Sequence, residues 1–393
     1  MKNKIDEIAQ ILLSGAIPKT GLLSGLGGQI LTCSELCLHQ KISQDRLEHL
    51  HQVLEEKLAT ENFLLTYCEG LAGIGWLYEY LSQRKLIDYD TNILLEEFDS
   101  CLETELKRFM MANAYDFLHG GVGIALYFVK RAAKKKELVR VLEQFLKDLE
   151  GIGTLQEDGT MKWSSFLSEH IGKQGYNISL SHGMACIVAI LVKLYNIEGI
   201  DKEKTETLLR GVVQYMLAQE IDKDKYGSYF TNYALESAPT INKSRMGWCY
   251  GDLGIASVLY QAGVVLKENT WIDKALEVFL FAAIHRRNLE GNLVNDAGLC
   301  HGTAGIGHIF YRMWWNTKLP QFKDAADYWF DQTLKMAKFE DGLAGFKTWY
   351  AMDGKSIWMN KFGFLEGISG ICMAMLTYYY EMEPGWDECL LLS

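Results

Sequence analysis

The chain has 393 residues, of which 49% are apolar, 12% aromatic and 23% charged, a composition that excludes a disordered protein. Its net charge of -11 argues against a nucleic-acid binder, which needs a basic face. Thirty-six glycines stand against four prolines, so long uninterrupted helices are permitted and the glycines need a reason.

The first segment, MKNKIDEIAQILLSGA, carries acidic residues inside its apolar run and does not read as a secretion signal. The next, SGLGGQI, is the first of seven copies of one pattern: a glycine, two residues, a second glycine, then usually an apolar residue. The others are EGLAGIG (Gly70, Gly73), HGGVGIA (Gly120, Gly123), HGMACIV (Gly183, with Cys186 in the second place), YGDLGIA (Gly251, Gly254), HGTAGIG (Gly302, Gly305) and EGISGIC (Gly367, Gly370). The first glycines lie 45 to 68 residues apart, and six-residue windows opened at each hold 17 of the 36 glycines.

The residues after each pattern have a helical period. Ile74, Leu77, Tyr78 and Leu81 come after the second copy; Ile124, Tyr127, Phe128 and Arg131 after the third; Ile306, Ile309, Phe310 and Met313 after the sixth. Further helices are predicted over 93–111, 204–219, 270–285 and 325–338. Each repeat is therefore two helices, the glycine turn opening the second. Two polar segments, 151–176 and 220–245, break the pattern and read as functional loops flanking the fourth copy. The first and last copies look like the internal ones rather than polar caps, which favours a closed ring over an open solenoid. The expected fold is all-α: one α/α toroid domain of seven inner and seven outer helices, its turns meeting at a common mouth.

The residues at those turns carry the chemistry. Immediately before each first glycine stand Ser24, Glu69, His119, His182, Tyr250, His301 and Glu366; one step earlier are Cys68, Cys249 and Cys300 among others. Cys249 and Cys300 hold the same position in adjacent repeats, and His301 follows Cys300. Two thiolates and an imidazole are a soft set suited to Zn²⁺, and three protein ligands leave a fourth position open, as a catalytic zinc requires. The plainer alternative is two small buried cysteines and a capping histidine. Cys68 is read as core. His182, in SLSHG, is the acid–base candidate, with a cap as its alternative. Asp116 is an orienting carboxylate or an N-cap. Tyr250 and Arg245 flank Cys249, and His119 lines the cavity. Nine cysteines in a chain without an export signal indicate reduced thiols in a cytoplasm, and the absence of an 18-residue apolar run excludes a membrane-spanning helix.

The segments RMGWCYGDLG, LCHGTAGIG, SLSHG and YDFLHGGVG together resemble the lanthionine synthetase C-like family, its bacterial lanthipeptide cyclases above all, through all seven repeats. The resemblance implies an α/α toroid around a zinc bound by Cys249, Cys300 and His301. It also puts His182, Asp116, Tyr250 and Arg245 at active-site positions. It implies addition of peptide cysteine thiols to dehydroalanine or dehydrobutyrine, giving thioether rings. The partners it implies are a dehydrated precursor peptide with a leader, a separate dehydratase and an exporter, in the cytoplasm near a membrane-associated modification complex. Cys186 departs from the family pattern beside His182, and so does the bulkier His119. Two other functions fit parts of the sequence. One is a glutathione- or peptide-binding member without cyclase activity. The other is an α/α-barrel glycoside hydrolase with carboxylates drawn from Glu69, Asp116 and Glu366.

Overall fold

The computed structural model describes residues 1–14, 19–167, 173–236, 243–352 and 354–393. Parts of the two polar inserts, 168–172 and 237–242, lie outside the described residues. Among the described residues, fourteen long helices carry the fold: α1 (Lys2–Ser14), α2 (Leu26–Leu38), α3 (Gln44–Thr60), α4 (Leu71–Gln83), α5 (Glu96–Met111), α6 (Gly121–Ala132), α7 (Val139–Ile152), α8 (Met184–Tyr195), α9 (Lys202–Leu217), α10 (Asp252–Leu266), α11 (Asn269–His285), α12 (Thr303–Thr317), α13 (Pro320–Met336) and α14 (Ile368–Tyr379). The even-numbered helices are buried almost throughout, whereas the odd-numbered ones are buried along one face. A helix that is apolar all round must be covered on every side, and an amphipathic one supplies the cover. The fold class is the expected one, all-α, with seven almost wholly buried helices and seven buried along one face among the described residues.

Every even helix opens at one of the seven turns, with Gly25, Gly70, Gly120, Gly183, Gly251, Gly302 or Gly367 as its N-cap and no side-chain cap. The reason for glycine is close approach. A Cβ on Gly70 would lie 2.1 Å from the carbonyl oxygen of Leu64, and one on Gly73 2.1 Å from that of Tyr67. The chain folds back on the residue six earlier, twice in succession, and leaves no room for a side chain. Gly251 adds a left-handed φ of +105°, which glycine alone adopts cheaply.

The chain forms two compact units. In the first, Met1–Tyr89 with Arg287–Gly385, α2 lies against α4 and α14, α12 lies against α14, and α1, α3 and α13 cover them. In the second, Asp90–Arg286 with Trp386–Ser393, α8 lies between α6 and α10, covered by α5, α7, α9 and α11.

Helix boundaries differ from the sequence expectation where capping intervenes. The segment 93–111 is split: Asp90 caps a four-residue helix, Thr91–Leu94, by accepting from Asn92 N at 2.9 Å, and α5 starts after it. Asp201 caps α9 two residues earlier than the periodicity indicates, and Pro320 starts α13 at its first turn.

The described parts of the polar inserts hold short strands and, in the second, a four-residue helix, Lys223–Tyr226. Short antiparallel pairs join β1 (Thr154–Leu155) to β2 (Met161–Lys162), and β4 (Lys173–Asn177) to both β3 (Ser165–Leu167) and β5 (Tyr233–Ala234). A hairpin of β6 (Thr348–Met352) and β7 (Lys355–Met359), with Tyr350 opposite Ile357, has no counterpart in the sequence reading.

Candidate active site

In the second unit, the turns before α6, α8 and α10 are tied together. The Asp116 carboxylate accepts from the His119 backbone N–H at 2.6 Å and, through its other oxygen, pairs with His182 Nδ1. His182 is half-buried. Burial alone would lower its pKa; the bond to Asp116 and that carboxylate's charge outweigh burial and raise it. The loop before His182 is preset by its own side chains. Asn177 Oδ1 accepts from Ser179 N at 2.9 Å, and the Ser179 hydroxyl accepts from His182 N at 3.2 Å. Leu180 N and Ser181 N donate to the Cys249 carbonyl at 3.1 and 3.3 Å. These bonds hold the His182 turn against the Cys249 turn.

Tyr250 continues the arrangement. Its hydroxyl accepts from Asn177 Nδ2 at 3.2 Å, its ring centroid lies 6.2 Å from that of His182, and burial raises its pKa. The His119 ring stacks 6.3 Å from His182. Arg245 is half-buried at the start of the same turn, where Gly251 runs hard against its carbonyl. Cys186 is fully buried behind His182. The turn forms without a second glycine, and Cys186 N bonds to Gly183 O at 3.0 Å.

The Cys249 turn is anchored at depth. Trp248, fully buried, meets Phe117 edge-on at 6.2 Å and donates from Nε1 to Leu390 O at 2.7 Å. Asp252, the first residue of α10, accepts from Arg286 Nη1 at 2.8 Å, from the Ser244 hydroxyl at 3.2 Å, and from the backbone N–H of Tyr229 and Phe230 at 3.0 and 3.1 Å.

In the first unit, Cys300 and His301 stand half-buried in the turn before α12. Cys300 N donates to Leu365 O at 2.9 Å, and buried Asp296 braces the turn by accepting from Gly298 N at 3.0 Å and Trp349 N at 2.9 Å. Glu366 accepts the Tyr350 hydroxyl, and Glu69 pairs with Lys19. Cys68 is buried, as a core residue.

Among the described residues, Cys249, Cys300 and His301 are the one group of His, Cys, Asp or Glu able to hold a metal ion. Their chemistry fits zinc: two thiolate sulfurs and an imidazole nitrogen, with one tetrahedral position left for a substrate. The three carboxylates considered for glycoside hydrolysis are engaged separately, Asp116 with His182, Glu69 with Lys19 and Glu366 with Tyr350.

A helical-pair fold with a Cys₂His group able to hold a metal ion and an Asp–His pair defines a class of helical protein with a candidate metal site. The comparisons with known proteins narrow it. The model of the lanthionine synthetase C-like protein family matches residues 17–391, so this chain belongs to that family. It is 23% identical over 398 residues to the nisin biosynthesis protein NisC of Lactococcus lactis subsp. lactis, covering 94% of this chain and 88% of that one. Its fold matches the solved structure of nisin cyclase with a TM-score of 0.78 at 20% identity, over 100% of this chain and 97% of the other.

Sequence reasoning missed Asn177, Ser179, Asp252, Asp296 and Tyr350. The first two carried a signal: short polar residues at two- and three-residue spacing before a turn commonly cap backbone N–H groups. Tyr350 carried one as well: Asp-Gly at 353–354, set between two five-residue runs rich in β-prone residues, is a hairpin signature that the reading passed over.

Proposed function

We propose that this chain is a zinc-dependent lanthipeptide cyclase, which adds cysteine thiols of a dehydrated precursor peptide to dehydroalanine or dehydrobutyrine and closes (methyl)lanthionine rings. The observation that carries the reading is the Asp116–His182 pair held against the Cys249 turn, in a chain of the lanthionine synthetase C-like family. Cys249, Cys300 and His301 would hold the metal. Bound there, zinc supplies Lewis acidity that lowers the pKa of a substrate thiol from its usual value of about 8.5.

The chain's own residues manage the protons. With Nδ1 committed to Asp116, His182 keeps Nε2 for the substrate, to take the thiol proton or deliver one. The S–H bond breaks and an S–Cβ bond forms. The Cα=Cβ electron pair moves to the α-carbon side as an enolate, and a proton returns to Cα. Tyr250 is the second donor candidate, its hydroxyl steadied by Asn177. Arg245 offers a cation to the enolate oxygen, a type of stabilisation worth up to ~3–4 kcal/mol. The two inserts, which flank the fourth copy of the repeat, would receive a leader segment. A separate dehydratase supplies the substrate. No helix among the described residues is long and apolar enough to cross a membrane.

The test is thiol consumption. The zinc-loaded protein is mixed with a peptide containing cysteine and dehydroalanine, and free thiols are counted by alkylation and mass spectrometry. Thiols are expected to vanish with no change in peptide mass. His182→Asn should slow this by roughly a hundredfold or more while zinc remains bound; Cys300→Ala should lose zinc and activity together. Zinc binding without thiol consumption by the unaltered protein would instead make it a binding member of the family.

A further inference from the structure

A cavity of about 790 Å³ opens on the unit formed by Met1–Tyr89 and Arg287–Gly385. It lies between α3 and the end of α4, and its walls include Leu47, Glu48, His51, Gln52, Leu86 and Tyr89. His51 belongs to the buried stripe of α3 with Leu47, Leu50 and Leu54, where periodicity calls for an aliphatic residue. It is only 5% exposed, and neither ring nitrogen has a hydrogen-bond partner. Tyr78 packs against it with a buried, unpartnered hydroxyl. Buried polar atoms are normally satisfied; His51, which lines the cavity, and Tyr78, which packs against it, are not.

The surroundings define the kind of ligand the cavity would take. His51, Tyr78 and Tyr89 form an aromatic triangle with centroid separations of 6.0, 6.5 and 6.2 Å. Glu48 and Asp88 stand in the lining, and Glu55, which accepts the Tyr89 hydroxyl, lies beside them; Lys85 is the one cation of the lining. Burial holds His51 down to about 4, so its ring is neutral at physiological pH and presents an acceptor nitrogen. We propose that this cavity binds the ammonium group of a lysine side chain carried by a bound peptide. An ammonium has three donors and no acceptor; it matches the imidazole nitrogen, the tyrosine oxygen and the carboxylates, and it is attracted to aromatic faces. An anion would meet the carboxylates instead. The peptide as source of the lysine rests on the proposed function; the recognition of an amine does not.

The experiment uses the full-length protein labelled with ¹⁵N-histidine, with the His51 signals assigned through His51→Gln. N-acetyl-lysine N-methylamide should shift those signals saturably, and N-acetyl-norleucine N-methylamide, of the same shape without the charge, should not. Glu48→Gln combined with Glu55→Gln, both at exposed positions, should weaken the lysine probe by about tenfold. An equal response to the norleucine probe, or no response to the lysine probe up to roughly 50 mM, well above the dissociation constant of a millimolar site, overturns the assignment. Binding of n-butylamine as tight as that of the lysine probe overturns the peptide source. Thiol consumption is measured separately, so either proposal can fail without the other.

Discussion

Replacing Asp252 by leucine tests whether the Cys249 turn is fixed from below. Asp252 is fully buried and Arg286 is 3% exposed. The pair is bound at 2.8 Å, and Arg286 also donates from Nη2 to Ser244 O at 2.6 Å. Removing the carboxylate takes away the counter-charge of a buried guanidinium and the acceptor for the N–H groups of Tyr229 and Phe230. Each bond to a charged group is worth ~1.5–3 kcal/mol, but such losses do not add. The governing figure is the penalty for breaking a buried pair, ~3–5 kcal/mol. Urea unfolding followed by tryptophan fluorescence should show a loss of that size. Hydrogen exchange should show early opening of residues 228–236 and 243–251. The double variant Asp252→Leu with Arg286→Met should recover part of the stability, because it removes the stranded charge. A single variant within ~1 kcal/mol of the parent, the size of a surface change, would refute the reasoning.

The turn geometry predicts that Gly73→Ala is destabilising although alanine favours helices. Its Cβ would sit 2.1 Å from Tyr67 O, and relieving such a clash costs ~1–3 kcal/mol, seen as a lower urea midpoint; an unchanged midpoint would contradict the close-approach argument. A surface cluster on α5 gives a pH signature. Glu103 is held down to about 2 by Arg140, with Lys107 assisting against a smaller opposing effect of burial. A carboxylate depressed in the folded state contributes stability that is complete above its ordinary value of 4.5 and lost as pH falls toward about 2. The stability difference between the parent and Arg140→Ala should therefore be full at neutral pH and close between those two values. A difference that stays constant across that window would refute it.

The repeat was legible because glycine answers a backbone requirement: the first close approach takes glycine in all seven copies and the second in six, Cys186 being the exception. The Cys–Cys–His set and His182 were legible for a related reason, since each stands at a fixed offset from those glycines. Helix ends were less so. Asp90 and Asp201 accept backbone N–H bonds that shift the start of α5 and α9, and such caps compete with periodicity on nearly equal terms. The tertiary braces were invisible. Nothing near Asp252 in the sequence names Arg286, 34 residues away, and nothing near Asp296 names Trp349.

The bond from Trp248 to Leu390 O joins residues 142 apart, and Trp386–Ser393 belong to the unit that begins at Asp90. The ribosome therefore releases the Cys249 turn long before the segment that anchors it exists. Until then the tryptophan has no acceptor at Leu390, and its thiol neighbour sits on an unfinished scaffold. Order of synthesis thus delays completion of the Cys249 turn until the chain has been made through Leu390.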